Sequence, residues 1–348
     1  MSNILKFNTT DSFLFINDVH ISRDQIPVFE KNWNEAIDIC VERKIKHIVV
    51  GGDLFQARDS QTLSVLRKIQ ESFELSSSKG ITVILANGNH DKVNQEDEFG
   101  YCHLYKYMPD VIVVDTYMVL ETPHANIFVL AYFPETGSLK DKVEDIYGSK
   151  TFSNKKDNIL YAHAGVLGSL GRENKDEVSS ELFAKFDRVY MGHYHNRSQF
   201  GKNIWYIGSS RQYNYGEDDE KGYNVCNSYG ELTFIQNQAN TRFADIKVNI
   251  DEVNKIPKMV KDIRKKGDMY RIKCTISVPS HFKGVVDKDA IKKMGVNRVE
   301  INNIFEPTTQ NKGGLYKKFD KEQVVETYSE YCNEINVSPD LGVKYLNK

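Results

Sequence analysis

The sequence predicts an α/β fold: a four-layer α-β-β-α sandwich that carries a small β-α-β-α-β domain and a C-terminal helix. Three observations predict it. The first 100 residues alternate between strand and helix patterns, the chain from 110 to about 240 is a series of short apolar runs, and the alternation restarts near 244. A chain of 348 residues is long enough for two domains, or for one large domain with an appendage.

The first 100 residues follow the order strand, helix, strand, helix, strand. The apolar runs FLFIND (13–18), KHIVVGG (46–52) and ITVILANG (81–88) are short enough for buried strands. Between them, residues 25–43 and 60–75 place apolar side chains every three or four positions, as one face of a helix does. Strands that alternate with helices need crossover connections, so we expect a parallel sheet here.

A second sheet is expected between residues 110 and 240. Short runs rich in β-branched and aromatic residues are separated there by polar turns, which is typical of strands. A polar stretch at 135–156 interrupts them and is predicted to hold a helix or a loop. The runs are VIVVD, TYMVLE, NIFVLAYF, NILYAHAG, RVYMGH and IWYIGS. We therefore assign residues 1–240 to one domain.

The small β-α-β-α-β domain is expected over 244–305, and it lies in a basic part of the chain. Residues 247–318 carry 17 Lys and Arg against 8 Asp and Glu, a net charge of +9, although the whole chain has a net charge of −2. This asymmetry suggests contact with a polyanion. The candidate phosphate-binding residues are Lys261, Arg264, Lys265 and Lys266 on one predicted helix, together with Arg211.

Each of these basic residues also has an ordinary structural explanation. The lysine-rich face of the predicted helix at 254–266 could equally be a solvated surface. Arg211, Tyr213 and Tyr215 mix basic and aromatic groups near a strand end, and they could equally be packing residues. The sequence leaves both alternatives open.

The C-terminal segment, 319–348, follows a predicted linker at 306–318 that contains Pro, Thr, Asn and paired Gly. Its apolar residues recur at helical spacing over 320–335, which indicates an amphipathic helix. Such a helix buries its apolar stripe either on its own domain or in a groove of a partner. The stripe consists of Val324, Tyr328, Tyr331 and Ile335.

The cysteine pattern and the absence of apolar segments bear on location. Five scattered cysteines without a C-x-x-C pair are typical of a reduced, intracellular protein. The N-terminus has no signal-peptide pattern, and no apolar stretch approaches the roughly 20 residues that a membrane span needs. A cytoplasmic location is expected.

Asp, Asn and His residues, which can all bind metal ions, follow several of the predicted strands. Carboxylate oxygens and imidazole nitrogens suit Mn²⁺, Fe²⁺ and Zn²⁺, and the carboxyl ends of strands are where sites form in α/β sheets. Seven candidate ligands are too many for one ion and about right for two, which can clamp the attacking and leaving oxygens of a phosphoryl displacement. The candidate ligands come from nine strand-end residues: Asp18, His20, Asp53, Asn89, His90, Asp91, His163, His193 and His195. Of these, Asp91 is expected to be a structural carboxylate rather than a ligand.

The motifs at these strand ends resemble, in kind and order, those of the calcineurin-like metallophosphoesterases: D-x-H, G-G-D, G-N-H-D, H and G-H-x-H. The forms at 51–55, 88–91, 192–195 and 206–209, with Gly216-Glu217 and Lys221-Gly222-Tyr223 beyond them, are similar to the SbcD nuclease family. The resemblance covers 18–223 through its motifs, and the remaining layout fits the family. The length also fits the compact members that bacteriophages encode, for which the host cytoplasm is the expected location.

The resemblance implies a two-metal DNA nuclease, acting as exonuclease and endonuclease, with His90 at the scissile phosphate rather than among the ligands. It implies two divalent ions, Mn²⁺ with Mg²⁺ as the alternative, and Asp53 bridging them. It also implies a homodimer and an SbcC-like coiled-coil ATPase as partner, in DNA recombination, repair or replication. One ion would take Asp18, His20, Asp53 and His195, and the other Asp53, Asn89, His163 and His193.

One loop departs from the family pattern. Family members often carry His or Asp directly after D-[LV]-F, where this chain has Gln56 followed by Ala57-Arg58-Asp59.

Three other functions are alternatives. A protein phosphatase of this fold would have G-D-x-x-D-R-G and G-N-H-E, which this chain lacks. A small-molecule or cyclic-nucleotide phosphodiesterase would share the metals without needing the basic domain. A non-catalytic scaffold would be expected to lose at least one of the metal-binding residues.

Overall fold

The computed structural model describes residues 4–171, 174–267, 269–279, 281–282, 284–304, 325, 328–329, 331–332 and 337–346. The chain divides into two compact units, one made of 1–276 and 286–301, the other of 277–285 and 302–348. The predicted linker at 306–318 lies outside the described residues. Of the predicted helix at 320–335, only 325, 328–329 and 331–332 are described, and these are helical.

The described elements follow the predicted order of strands and helices. Short 3-10 turns occur at Arg23–Gln25, Asn89–Asp91, Tyr101–Tyr105, Ser180–Phe183 and Ile250–Lys255. The helices are α1 (Ile26–Arg43), α2 (Leu63–Ser78), α3 (Leu139–Tyr147), α4 (Ile256–Arg264), α5 (Lys288–Lys293) and α6 (Asp340–Leu346). The strands are β1 (Ile4–Lys6), β2 (Phe13–Ile16), β3 (His47–Gly51), β4 (Thr82–Ala86), β5 (Val111–Val114), β6 (Tyr117–Glu121), β7 (Ala125–Leu130), β8 (Asp157–His163), β9 (Arg188–Gly192), β10 (Ser198–Phe200), β11 (Ile204–Tyr206), β12 (Gly222–Cys226), β13 (Leu232–Gln236), β14 (Arg242–Asn249), β15 (Tyr270–Pro279) and β16 (Arg298–Ile304).

Two sheets form the body of the larger unit. The six-stranded sheet has the order β13-β12-β2-β3-β4-β5, and β2 to β5 run parallel as the strand–helix alternation predicted. The seven-stranded sheet has the order β1-β6-β7-β8-β9-β11-β10, with β7, β8, β9 and β11 parallel. Parallel strands end at a common edge, so the polar residues that follow them are brought together.

Alternating side chains of the buried strands build the layers. Leu14 and Ile16 of β2 pack with Trp33 of α1 and Phe73 of α2 on the outer face of the six-stranded sheet. Phe15, from the opposite face of β2, belongs to the cluster between the two sheets. A third cluster joins the far face of the seven-stranded sheet to α3. This arrangement is the predicted four-layer α-β-β-α sandwich.

The part of the chain assigned to the small basic domain contains a three-stranded sheet of order β14-β15-β16, with α4 and α5 between the strands in sequence, which is the expected β-α-β-α-β order. Lys273 on the central strand makes ion pairs of 3.2 Å with both Asp245 and Glu300. Because these carboxylates lie on the two flanking strands, the pairs connect all three. The alternating burial of β15 matches its sequence pattern.

Four strands were not predicted from the sequence: β1, β10, β12 and β13. β1 and β10 have three residues each and no buried ones, so they lack the apolar run that identifies a strand. β12 is fully buried, but its sequence GYNVC has Gly and Asn at positions where strands favour β-branched residues.

Among the described residues, no helix combines the length and the apolar composition that crossing a membrane requires.

Candidate metal centre

The strand ends of both sheets converge on one cavity of about 310 Å³. His20 follows β2, Asp53 follows β3, and Asn89 and His90 follow β4, all from the six-stranded sheet. The seven-stranded sheet contributes the residues after β9. His20, Asp53, Asn89, His90, His193 and His195 all line the cavity, and Asp18 and His163 lie within 4.8 Å of other potential ligand atoms of the same cluster.

His20 and His195 point hydrogen-bond acceptors at each other. Nε2 of His20 lies 3.1 Å from Nε2 of His195. The Nδ1 atom of His20 lies 3.3 Å from the carbonyl oxygen of Phe55, so it must carry the hydrogen. Nδ1 of His195 likewise donates to the Glu217 carboxylate at 2.9 Å. When both imidazoles are neutral, each therefore presents a lone pair on Nε2, and a positive charge between or beside them satisfies both. Glu217 and the nearby carboxylates favour such a charge, since they outweigh burial and raise the pKa of His195.

His163 makes the same arrangement on the other side of Asp53. Its Nδ1 donates to the carbonyl oxygen of Gly51 at 3.3 Å, which leaves Nε2 facing Oδ2 of Asp53 at 3.3 Å and Oδ1 of Asn89 at 3.1 Å. Oδ2 of Asp53 is also 3.5 Å from Nε2 of His20. One carboxylate oxygen thus lies between the two histidine groups, at separations that ligands bound to a common ion at about 2.1 Å would have.

Asp18 and His193 complete the cluster. Asp18 is fully buried, its Oδ1 accepts from the backbone nitrogen of His193 at 3.2 Å, and its Oδ2 has no hydrogen-bond partner among the described residues. A buried carboxylate oxygen without a partner is costly unless a cation binds it. The ring centroid of His193 lies 5.3 Å from that of His163. The donor set of Asp, His and Asn, without thiolates, fits two divalent ions.

The backbone at these positions is strained. Asp18, His20, Asp53 and His193 have positive φ angles of 48°, 45°, 54° and 82°. Residues other than glycine adopt such angles at a cost and tend to cluster in functional sites. Gly52, at φ 106°, lies so close to His163 that a Cβ atom would come within 2.5 Å of its Nδ1. The chain turns sharply after each strand in order to aim these side chains into one cluster.

The pKa values of the clustered histidines follow from burial and from the carboxylates. Burial lowers the pKa of both His20 and His193 to about 3, so both are neutral at pH 7 and offer lone pairs. Burial also acts to lower the pKa of His163, but Asp53 and Asp18 outweigh it and raise the value to about 9. The carboxylates therefore favour a positive charge at this position, which a metal ion would supply.

His90 lies at the mouth of the cavity. Its Nδ1 donates to the carbonyl oxygen of Gln56 at 2.7 Å, and its backbone nitrogen donates to Oδ1 of Asp53 at 2.8 Å. Its ring is 4.8 Å from the ring of His20, centroid to centroid. His20, Asp53 and His90 also form a group whose potential ligand atoms lie within 4.8 Å of one another. The geometry brings His90 to the site and leaves its role, reacting group or ligand, as a prediction.

Asp91 has the structural role that the sequence favoured over metal binding. Its Oδ1 accepts from the backbone nitrogen of Phe55 at 2.9 Å, and its Oδ2 accepts from those of Gly88 at 2.7 Å and Leu54 at 3.3 Å. Burial, followed by the charge of Asp53, raises the pKa of Asp91 to about 7. This carboxyl group fastens the loop after β3 to the loop after β4.

Glu217 is a site residue that the sequence analysis did not identify as functional. Its Oε1 accepts from His195, and its Oε2 accepts from the backbone nitrogen of Tyr213 at 2.9 Å. Tyr213 in turn donates its hydroxyl to the carbonyl oxygen of Asp18. Glu217 follows His195 by 22 residues in an irregular segment, so no spacing rule connects them. Only the fold places this carboxylate behind a candidate ligand.

The five basic residues expected to contact DNA lie in different surroundings. Arg211 is only 3% exposed, and its guanidinium donates to Gln25 at 2.6 Å, so it lies inside the protein and not on its surface. Arg264 donates to the carbonyl oxygen of Tyr270 at 2.9 Å. Lys261, Lys265 and Lys266 are exposed, and Lys265 forms an ion pair with Asp262 at 2.8 Å. Among these five residues, Lys261, Lys265 and Lys266 are therefore the ones whose side chains are open to solvent.

The remaining histidines lie elsewhere. His47 packs edge-on against Phe7, His103 pairs with Asp115 at 3.0 Å, and His124 stacks on Tyr229. None of these three is in a potential metal-binding group within the described residues. The structure therefore separates them from the strand-end cluster.

Comparison with known proteins adds family information to this geometry. The profile of the calcineurin-like phosphoesterases matches residues 12–197, a range that includes every candidate ligand from Asp18 to His195. The chain is 26% identical over 204 residues to the SbcD subunit of nuclease SbcCD from Staphylococcus saprophyticus, covering 51% of this chain and 54% of that one. It is 24% identical over 215 residues to putative phosphoesterase 244L of Invertebrate iridescent virus 6, covering 60% and 73%.

A third relative comes from an archaeon. The chain is 24% identical over 258 residues to the DNA double-strand break repair protein Mre11 of Sulfurisphaera tokodaii, covering 68% of this chain and 62% of that one. The chain thus spans a little more than half the length of the SbcD protein and less than two thirds of the Mre11 protein.

Proposed function

The chain belongs to the calcineurin-like phosphoesterases, and on that premise we propose that it is a DNA nuclease that uses two divalent metal ions, Mn²⁺ by preference, to hydrolyse phosphodiester bonds. The observation that carries the proposal is the position of Asp53. Its Oδ2 lies 3.5 Å from Nε2 of His20 and 3.3 Å from Nε2 of His163, where one carboxylate can bridge two ions.

We assign the ligands as the family resemblance implies. Asp18, His20 and His195 would hold one ion together with Asp53, and Asn89, His163 and His193 would hold the other. Two ions bound there would neutralise the negative charge that develops on the phosphate oxygens during cleavage. Carbonyl and carboxylate groups behind the imidazoles of His20, His163 and His195 fix Nε2 of these three as the atom that faces the ions.

His90 is proposed as the group that acts on the leaving oxygen. Its Nδ1 is held by the carbonyl oxygen of Gln56, so its Nε2 is the atom available to a substrate. A histidine in this position can donate a proton to the departing oxygen as the phosphodiester bond breaks. The backbone bond from His90 to Asp53 keeps the ring next to the carboxylate that would bridge the ions.

DNA as the substrate is supported by the relatives and by the basic domain. Two of the relatives are named as part of a nuclease and as a DNA double-strand break repair protein. The domain assigned to 244–305 presents Lys261, Lys265 and Lys266 to solvent. We propose that this domain contacts the DNA backbone, whose phosphates attract lysine side chains without regard to sequence.

We also propose a homodimer that works with an SbcC-like ATPase. The relative of Staphylococcus saprophyticus is named as one subunit of SbcCD, which supports an assembly with a second protein. Apolar side chains at the surface, among them Leu63 at 79% exposure and Leu104 at 62%, are available for a contact between copies. A monomeric mass in solution at micromolar concentration would contradict the dimer.

The proposed function is tested with purified full-length protein and linear or circular DNA in the presence of Mn²⁺, Mg²⁺ or EDTA. Cleavage that requires Mn²⁺ and is abolished by EDTA is expected. Hydrolysis of a cyclic nucleotide without cleavage of DNA would favour the small-molecule phosphodiesterase. Failure to hydrolyse any phosphodiester, despite bound metal, would favour the scaffold.

A further inference from the structure

Arg58 is a positive charge at the metal centre that no part of the proposed mechanism uses. Its side chain lines the same cavity as Asp53, Asn89 and His90. Among the described residues that line this cavity, Arg58 is the only Lys or Arg. Its charge also contributes, after burial and the neighbouring histidines, to lowering the pKa of His193.

The loop that carries Arg58 is held in place on both sides. The carbonyl oxygen of Gln56 accepts from the ring of His90 at 2.7 Å, and the backbone nitrogen of Gln56 donates to the carbonyl oxygen of Ile21 at 3.0 Å. The carbonyl oxygen of Arg58 itself accepts from the hydroxyl of Tyr101 at 3.1 Å. The guanidinium is therefore presented from a tethered backbone rather than from a free loop.

The guanidinium has no carboxylate partner of its own within the part of the chain that the structure describes. Its near neighbour is the side-chain amide of Asn89, which can turn either its oxygen or its nitrogen towards Nη2 of Arg58. When Oδ1 of Asn89 is turned towards Arg58, it accepts a hydrogen bond from Arg58, while Nδ2 of Asn89 donates to Asp53 and His163. This orientation satisfies both groups when no cation is bound.

A bound metal ion reverses this choice. An amide nitrogen has no lone pair to offer a cation, so Asn89 can coordinate only through Oδ1. In that orientation Oδ1 faces Nε2 of His163 at 3.1 Å, and Nδ2 faces Arg58. Two donors then meet, and the guanidinium loses its acceptor. Arg58 is exposed, so water or a bound group can then accept from it. In the proposed function, the acceptors that enter this cavity are phosphate oxygens.

We propose that Arg58 binds a non-bridging oxygen of the substrate phosphate, and that metal binding makes it available by turning the Asn89 amide. Arginine suits this task because its planar fork of donors matches phosphate oxygens and keeps its charge at every working pH. The residue directly after Asp53-Leu54-Phe55 is Gln56, so this loop supplies its charged group two residues later than the position at which the resembling family often carries His or Asp. The inference rests on the proposed function only for the identity of the substrate.

The test measures binding of inorganic phosphate by calorimetry, with the full-length protein saturated with Mn²⁺ and no DNA present. Arg58→Ala should weaken phosphate binding by roughly 10- to 100-fold, the usual weight of one or two charge-assisted hydrogen bonds. Arg58→Lys keeps the positive charge but lacks the planar fork of donors. Its phosphate affinity should lie between those of Arg58→Ala and the wild type. The number of Mn²⁺ ions bound per chain should be unchanged in both variants.

Arg67→Ala is the matched control, because Arg67 is an exposed arginine that pairs with Glu71 on α2 and does not line this cavity. It should bind phosphate as the wild type does. Equal phosphate affinity in Arg58→Ala and the wild type, loss of Mn²⁺ in Arg58→Ala, or a wild type that does not bind phosphate would each overturn the inference. A wild type that binds phosphate through Arg58 but does not cleave DNA would instead refute the nuclease proposal and leave this inference standing.

Discussion

Nε2 of His20 lies 3.1 Å from Nε2 of His195, although the two residues follow strands of different sheets. A backbone carbonyl occupies Nδ1 of His20 and a carboxylate occupies Nδ1 of His195, so neither Nε2 carries a hydrogen when the rings are neutral. Such a pair of lone pairs is unfavourable in a buried place without a cation. The groups behind the histidines should therefore control how strongly the site binds metal.

Glu217→Gln tests this control. The amide retains an oxygen that can accept from Nδ1 of His195, but it removes the negative charge that strengthens the bond. Glu217→Ala removes the acceptor entirely and should weaken Mn²⁺ binding by about 10- to 100-fold, as is usual for partners of metal-binding histidines. The Mn²⁺ affinity of Glu217→Gln should lie between those of Glu217→Ala and the wild type. Titration with Mn²⁺ followed by calorimetry measures both.

Exposed Glu74 on α2, which accepts from Gln70 at 2.8 Å, provides the control variant Glu74→Ala. It should leave Mn²⁺ affinity unchanged. If Glu217→Ala binds Mn²⁺ as tightly as Glu74→Ala does, the carboxylate is not a determinant of the metal site.

His90→Ala should separate catalysis from metal binding. If His90 donates a proton to the leaving oxygen, its loss should lower kcat by about 10²- to 10⁴-fold while two metal ions remain bound. Elemental analysis of the dialysed protein gives the metal content, and His103→Ala, at a site paired with Asp115, serves as the control. Loss of metal from His90→Ala would identify His90 as a ligand.

Neutralising the exposed lysines of α4 and its C-terminal end should weaken DNA binding. In the triple variant Lys261→Gln, Lys265→Gln and Lys266→Gln, the slope of log K against log salt should become shallower by about 0.9 for each duplex phosphate that the protein no longer neutralises. Hydrolysis of bis-p-nitrophenyl phosphate should be unaffected, because this substrate has no DNA backbone. Fluorescence anisotropy over a salt series measures the slope.

A second triple variant controls for net charge. Lys31, Lys79 and Lys140 are exposed lysines of the larger domain, and replacing them with Gln removes the same charge elsewhere. An equal change of slope in both triple variants would show that the lysines near α4 act only through the net charge. An unchanged slope in the first would show that they form a solvated helix face.

Deletion of 319–348 should separate nuclease activity from partner binding. The deletion removes the apolar stripe predicted at 320–335 and also α6, and it leaves the strand-end cluster intact. We expect Mn²⁺-dependent cleavage of short DNA to persist and co-purification with an SbcC-like ATPase to be lost. A truncated chain that binds the ATPase with unchanged affinity would assign the contact to another surface.

The sequence was sufficient for the sandwich because hydrophobic periodicity determines which faces are buried. FLFI and HIVV are strands whose two faces enter different cores, and both were recognised. The short strands β1 and β10 have no buried residues and are held by their neighbours, so nothing in their own sequence identifies them. GYNVC, at β12, becomes a central strand because it pairs with both β2 and β13.

Site residues that directly follow a buried strand could be predicted from the sequence. Site residues that reach the cluster only through long-range contacts could not. Asp53 and His163 could be proposed as candidate ligands because each lies at the end of a buried strand. Glu217 and Arg58 could not, since each lies in an irregular segment and approaches the site only through the fold. For Arg211 the sequence left a DNA contact and a packing role equally open, and the fold buries it against backbone carbonyls that the sequence does not reveal.

The most direct test of the account is the metal content and DNA cleavage of Asp53→Asn. Asn retains the shape of Asp53 but lacks the charge that one oxygen would share between two ions. We predict about two Mn²⁺ per wild-type chain by elemental analysis, roughly one or fewer per Asp53→Asn chain, and loss of Mn²⁺-dependent DNA cleavage with that metal. An Asp53→Asn protein that still binds two Mn²⁺ and cleaves DNA at the wild-type rate would contradict the bridged two-metal site.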